Sequence, residues 1–180
     1  MIKVWSYTEE YKSLRKKILK SIDRTLKSGQ IFFGKELQKF EKQFIKKNNL
    51  KYGVAVGSGT DALYIALLAL GIGKGNEVIT VSNTAIPTVS AIKSSGADVK
   101  FVDINNDYLI DVNKIEKCIS KKTKAIIPVH LYGLPCDMAK ICKIAKKYKL
   151  KIIEDCAQAQ GAKFNNKYVG SFGDVACFSF

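Results

Sequence analysis

Residues 125–155 decide the fold. They open with Ala125-Ile126-Ile127-Pro128-Val129-His130, pass through Asp137 to Lys149, and close with Lys151-Ile152-Ile153-Glu154-Asp155. The two outer runs are short and apolar, as strands buried on both faces are. Between them, Met138, Ile141, Ala145 and Tyr148 recur at helical spacing and are expected to face inward, and Asp137 suits an N-cap. A strand, a crossover helix and a second strand make a parallel pair.

The same alternation extends upstream. Val78-Ile79-Thr80-Val81-Ser82 and Val99-Lys100-Phe101-Val102-Asp103 read as strands. Ala85 to Lys93, with Pro87 in its first turn, and the segment from Asp111 to Ile119 read as helices. Further back, Gly53-Val54-Ala55-Val56 reads as a first strand feeding an apolar helix from Thr60 to Leu70. Downstream, Gly170–Gly173 is a turn and Val175–Phe180 a last strand. Two amphipathic helices, 8–28 (Tyr11, Leu14, Ile18, Ile22 and Leu26, with Gly29 as a stop) and 35–47 (Leu37, Phe40, Phe44), precede all of this. The expectation is an α/β fold with a mostly parallel sheet, organised as an N-terminal helical segment, 1–50, and a larger domain, 51–180. Because the sequence stops in a buried-looking strand, a truncated chain with an unfinished sheet is expected.

The chain has 180 residues, room for one domain or part of a larger one. It is 47% hydrophobic and 26% charged, which excludes long disorder and low complexity. No apolar run is long enough for a membrane helix, and Met1-Ile2-Lys3-Val4-Trp5 is too polar for a signal peptide. A soluble cytoplasmic protein is expected. Its 5 cysteines form no C-x-x-C pair, which weighs against a disulfide framework and a zinc site, and His130 is the only histidine. It is expected to pack at a strand end or to line a pocket with Tyr132. The net charge of +14 comes almost wholly from lysine, Arg15 and Arg24 being the only arginines. That pattern fits solvated helix faces better than a nucleic-acid reader, which favours the bidentate fork of arginine.

Three places could carry chemistry. Gly57-Ser58-Gly59-Thr60-Asp61-Ala62 would open a helix after a strand, where free N–H groups and the helix dipole suit a phosphate. It also fits a dinucleotide fingerprint, but the acidic residue expected after the next strand is replaced by Ser82-Asn83-Thr84. A plain tight turn without ligand stays open. Asp155 would end a parallel strand, where open α/β sheets place their ligands. Its carboxylate would either cap the following turn or pair with a cationic group on a cofactor. Ser179 would project at the same edge.

Taken in order, these segments resemble the DegT-type sugar aminotransferases, which depend on pyridoxal 5′-phosphate (PLP). The resemblance rests on Ile2-Lys3-Val4-Trp5, Gly59-Thr60-Asp61-Ala62-Leu63, Val81-Ser82-Asn83-Thr84-Ala85-Ile86-Pro87-Thr88, Pro128-Val129-His130-Leu131-Tyr132-Gly133, Glu154-Asp155-Cys156-Ala157-Gln158-Ala159 and Gly173 to Phe180. It implies the large domain of the aspartate-aminotransferase-like fold (fold type I), cut before its last strand and its small C-terminal domain. It implies that Gly59, Thr60 and the N–H of Asp61 cradle the cofactor phosphate, with a hydroxyl from Ser179. Asp155 would pair with the pyridinium nitrogen and Gln158 would lie near the ring's 3-oxygen. Where many members place an aromatic ring over the cofactor, this sequence has Ala85, so the stacking contact is unassigned. The family's Schiff-base lysine falls a few residues beyond Phe180, so no catalytic lysine is expected in this chain. The implied reaction moves an amino group from glutamate to a dTDP-linked 3-keto-6-deoxysugar in a homodimer. The alternatives are a sister PLP-dependent sugar dehydratase, with histidine in the lysine's place, and a basic nucleic-acid-binding module.

Overall fold

The computed structural model describes residues 6–180, so the Ile2–Trp5 motif lies outside the described residues. The chain divides into two compact units, residues 1–44 and 45–180.

In the first unit, α1 (Tyr7–Ser28) ends where Gly29 takes the left-handed conformation (φ 67°) and its N–H caps the Leu26 carbonyl. Glycine adopts that conformation without the Cβ penalty. Tyr11, Leu14, Ile18, Ile22 and Leu26 form the stripe expected from their spacing, and all of them are exposed. Helix α2 (Lys35–Asn48) starts in this unit, where Glu36 meets Arg24 at 3.0 Å.

The second unit alternates strand and helix: α3 (Gly59–Ala69), β1 (Glu77–Val81), α4 (Ile86–Ser94), β2 (Asp98–Val102), α5 (Val112–Cys118), β3 (Thr123–Ile127), α6 (Met138–Tyr148), β4 (Lys151–Asp155), a small hairpin β5–β6 (Lys163–Phe164, Lys167–Tyr168) and β7 (Val175–Cys177). The five long-range strands form one parallel sheet in the order β2-β1-β3-β4-β7. Side chains alternate across it, as the pleat requires. Ile126 and Ile152 enter one core with Ile115, Met138 and Ile141 of α5 and α6. Ala125, Ile127 and Ile153 enter the other with Leu63, Leu67, Ala91 and Ile92 of α3 and α4. Covering both faces explains why β3 and β4 read as continuous apolar runs. Among the described residues, no helix is long and apolar enough to cross a membrane.

Several expectations need correction. Residues 53–56 join neither sheet, and Val54 is 79% exposed. An apolar run becomes a strand only where a neighbouring backbone pairs with it, and no strand of either sheet does so here. The run at 125–130 leaves the sheet after Ile127, because Pro128 has no N–H to give; Val129 makes one further bridge, to Asp155. The last strand stops at Cys177 rather than Phe180. Tyr148 is partly exposed at the end of α6 rather than inward. The β5–β6 hairpin turns on Asn165 and Asn166, both at positive φ (48° and 62°), as a two-residue hairpin turn favours.

Ile126, at the centre of the sheet and fully buried, sets the first prediction. Ile126→Ala is expected to cost about 2–5 kcal/mol of unfolding free energy by urea denaturation; a loss under ~1 kcal/mol would contradict this core assignment.

Candidate cofactor site

The site starts at the first turn of α3. Ser58 is the N-cap: its hydroxyl oxygen accepts the Asp61 N–H (3.1 Å) and donates to Asp61 Oδ2 (2.9 Å). The reciprocal pair fixes the helix start. It also spends the Asp61 N–H, which the resemblance had placed in the phosphate cradle. Among the described residues, the N–H groups of Gly59 and Thr60 have no protein partner, as the first turn of a helix leaves them.

Ser179 stands against this turn. A Cβ built on Gly59 would lie 2.9 Å from Ser179 Cβ and 3.1 Å from its Oγ. Only glycine allows that approach, and it sets a hydroxyl beside two free N–H groups. Ser179 is held from behind, where its carbonyl accepts from the Gln160 amide.

Asp155 ends β4 and is 5% exposed. Its Oδ2 accepts from Thr88 Oγ1 at 2.8 Å and its Oδ1 from the Ala157 N–H at 3.2 Å. Burial pushes its carboxyl up from the ordinary value, against these two bonds and nearby His130. In the parallel register Asp155 lies opposite Cys177, and Ser179 follows two residues later. Ser179 therefore lies just past the carboxyl end of β7, on the same rim of the sheet as Asp155. Gln158 comes from the turn after Asp155, and its Oε1 accepts the Tyr132 N–H at 2.8 Å. Ala85 is the N-cap of α4 and carries no ring, and neighbouring Ile86 is exposed.

One functional element escaped the sequence reading. Glu154, fully buried, accepts from the N–H groups of Gly170 (2.8 Å), Phe172 (2.7 Å) and Gly173 (2.7 Å), and lies 3.2 Å from His130 Nε2. His130 Nδ1 accepts the Cys136 N–H, so the ring proton is on Nε2 and points at the carboxylate. Burial alone would raise the Glu154 carboxyl, but the His130, Gly170 and Gly173 bonds outweigh it and hold it low. His130 therefore packs at a strand end, as one of the two readings had it, while Tyr132 is exposed. An acidic residue directly before the candidate site aspartate, at the end of an otherwise apolar run, was the only available signal.

His130, Glu154 and Cys156 put ligand atoms within 4.8 Å of one another, but the nitrogens of His130 and both Glu154 oxygens are taken by the bonds above. The group is a structural lock. Burial pushes the Cys136 and Cys177 thiols up to about 12, so neither is a nucleophile near neutral pH. A cavity of about 310 Å³ lined by Asn105, Asp111, Leu134, Asp137 and Phe164 shares no residue with this rim.

The rim thus brings two unpartnered N–H groups and the Ser179 hydroxyl to the end of the sheet that also carries the buried Asp155 carboxylate. Residues 12–180 match the DegT/DnrJ/EryC1/StrS aminotransferase family. The chain belongs to this family. It is 42% identical over 178 residues to the dTDP-3-amino-3,4,6-trideoxy-alpha-D-glucose transaminase of Micromonospora megalomicea subsp. nigra, covering 98% of this chain and 48% of that protein. It is 51% identical over 148 residues to the GDP-perosamine synthase of Escherichia coli O157:H7, covering 82% of this chain and 41% of that one. Among solved structures it is similar to NtdA of Bacillus subtilis with bound cofactor PMP, at 42% identity and a TM-score of 0.83, covering 88% of this chain and 37% of that one. The chain spans about half the length of the curated relatives it matches. The nucleotide named varies between these family members, so membership does not fix the sugar.

The depressed Glu154 carboxyl gives a pH prediction. A carboxyl lower in the folded than in the unfolded state contributes stability that is present above the unfolded value, about 4.3, and is lost as pH falls through the folded value. Glu154→Gln is expected to cost about 3 kcal/mol or more at pH 7, with the gap to wild type closing below ~pH 4. Thermal unfolding across pH 3–8 checks this; a gap that does not change with pH would contradict it.

Proposed function

We propose that this chain forms the cofactor-seating half of a PLP-dependent transaminase. The complete protein would transfer an amino group from glutamate to a dTDP-linked 3-keto-6-deoxysugar, as a cytoplasmic homodimer. In this reading residues 1–50 are a helical segment and 51–180 the partial PLP-binding domain. The observation that carries it is the Gly59–Ser179 apposition on the same rim as Asp155.

The residues present fit the group. Gly59 admits the Ser179 side chain where a Cβ would clash with it, and its N–H with that of Thr60 would take the phosphate at the positive end of α3. Ser179 would add its hydroxyl, and the Thr60 side chain a second one. Asp155 is an acceptor that little water reaches, so a ring N–H⁺ facing it would keep its proton. Gln158 holds the loop at Tyr132 by its carbonyl oxygen and keeps its amide NH₂ for the ring's 3-oxygen. When bound, the cofactor supplies an electron sink for the carbon that exchanges the amine. The dTDP-sugar branch is supported by the Trp5 opening and the Ser82–Thr88 run of the sequence and by the Micromonospora relative; the surplus of lysines would favour the approach of a nucleotide diphosphate.

Pyridoxamine 5′-phosphate (PMP) tests the seat, since unlike the aldehyde it cannot react with surface lysines. Calorimetric titration of the chain is expected to show one saturable site. Gly59→Val should abolish it by forcing the Ser179 hydroxyl away from the helix start, and Asp155→Asn should weaken it about tenfold or more. No binding by the wild type, or binding unaffected by Gly59→Val, would contradict the assignment.

The family's lysine is expected past Phe180. The 180-residue chain alone is therefore expected to give no turnover of glutamate with a dTDP-keto-sugar. Measurable product from the purified chain would overturn this division of labour.

A further inference from the structure

Behind Asp155 lies a second pair of hydroxyls to which the resemblance gives no role. Thr88 is in the first turn of α4, just after Pro87, and is 1% exposed. Its Oγ1 lies 2.8 Å from Asp155 Oδ2 and 2.8 Å from Thr84 Oγ1. An ionised carboxylate only accepts, so the single proton of the Thr88 hydroxyl points at Asp155. The contact with Thr84 then has one possible direction, with Thr84 donating to Thr88. The result is a directed chain, Thr84 to Thr88 to Asp155, in which each bond polarises the next.

We propose that Thr88, backed by Thr84, is a positioning residue for Asp155: it fixes the rotation of the carboxylate and gives it a hydrogen bond that water cannot replace. The cofactor part of this inference rests on the function proposed above. The geometry supports it in three ways. Thr88 is almost fully buried, so little water competes for its hydroxyl. The Ala157 N–H takes the other carboxylate oxygen, so the plane of the group is set by one donor on each side. With about four acceptor sites on a carboxylate, room for a ring N–H remains. The other titratable groups around Asp155 are its chain neighbours Glu154 and Cys156, His130 from the segment after β3, and Cys177 from β7. Burial pushes the Asp155 carboxyl upward, and the Thr88 bond is foremost among the forces that oppose this. A protonated Asp155 would no longer favour a protonated ring. Thr88 therefore acts on the chemistry through Asp155 without touching the cofactor.

The test reads Asp155 in the free chain. Carbon-13 NMR of aspartate-labelled protein follows its carboxyl through pH, and the signal is assigned by its loss in Asp155→Asn. Thr88→Val keeps the shape and removes the donor; it is expected to raise the titration midpoint by about one pH unit. Thr88→Ser, which restores the hydroxyl, should return the midpoint close to wild type. Thr84→Val should raise it by a smaller amount. If Thr88→Val does not fold, Thr84→Val decides. A midpoint unmoved by Thr88→Val, or by Thr84→Val where that variant decides, would overturn the proposal. PMP affinity at pH 7 is the second reading, with about a tenfold loss expected in Thr88→Val and recovery in Thr88→Ser. If the wild type takes no PMP, the cofactor reading falls, while the titration still shows whether Thr88 governs Asp155. If PMP binds wild type and Thr88→Val alike, the positioning role is overturned.

Discussion

A buried carboxylate with nowhere else to turn holds this rim together. Glu154 has no access to water, so it must be satisfied by protein donors or cost several kcal/mol. Three backbone N–H groups of the 170–173 turn and His130 satisfy it. That turn leads directly into β7, so the same bonds set where β7 lies beside β4. The position of β7 in turn brings Ser179 against Gly59. Removing Glu154 would leave the turn's N–H groups as orphans in a dry place, which is why the site depends on a residue that need not touch any ligand.

Glu154 and Asp155 show how the pleat of a strand divides labour. Adjacent residues on a strand point to opposite faces. Glu154 points toward the 170–173 turn and Asp155 toward α4 and Thr88. Each carboxylate is buried, yet their environments push them in opposite directions: hydrogen bonds win at Glu154 and desolvation wins at Asp155. The exposed ion pairs elsewhere, such as Lys27 with Asp23 and Lys93 with Asp98, are solvated at both ends and add little to stability.

What the sequence made legible was local. Asp111 and Asp137 announce helix starts because a side-chain oxygen accepting a backbone N–H two or three residues on is a short-range device. Strands β1, β3 and β4 stand out because burial on both faces leaves an apolar run, whereas β2 lies at the edge of the sheet with Phe101 half exposed and shows only by its Val99, Phe101 and Val102. Pairing was not legible. Gly53–Val56 has the composition of a strand and joins no sheet, since pairing depends on a distant backbone. The β5–β6 hairpin is too short for an alternating pattern, and only its Asn165-Asn166 turn marks it. Of the candidate site, Gly59, Asp155 and Ser179 could be singled out because they fall at or just past element ends, where open α/β sheets leave side chains and N–H groups without partners in the element. The bonds of Glu154 and Thr88 could not be read, because each joins segments tens of residues apart.

The central claim is that the helix start at 59–60, the Ser179 hydroxyl and the Asp155 carboxylate serve one and the same ligand. A crystal structure of the chain with PMP tests this most directly. The account predicts the phosphate on the N–H groups of Gly59 and Thr60 and on Ser179 Oγ, with the ring nitrogen within hydrogen-bond distance of Asp155. A phosphate seated elsewhere, or a ring whose nitrogen turns away from Asp155, would contradict it.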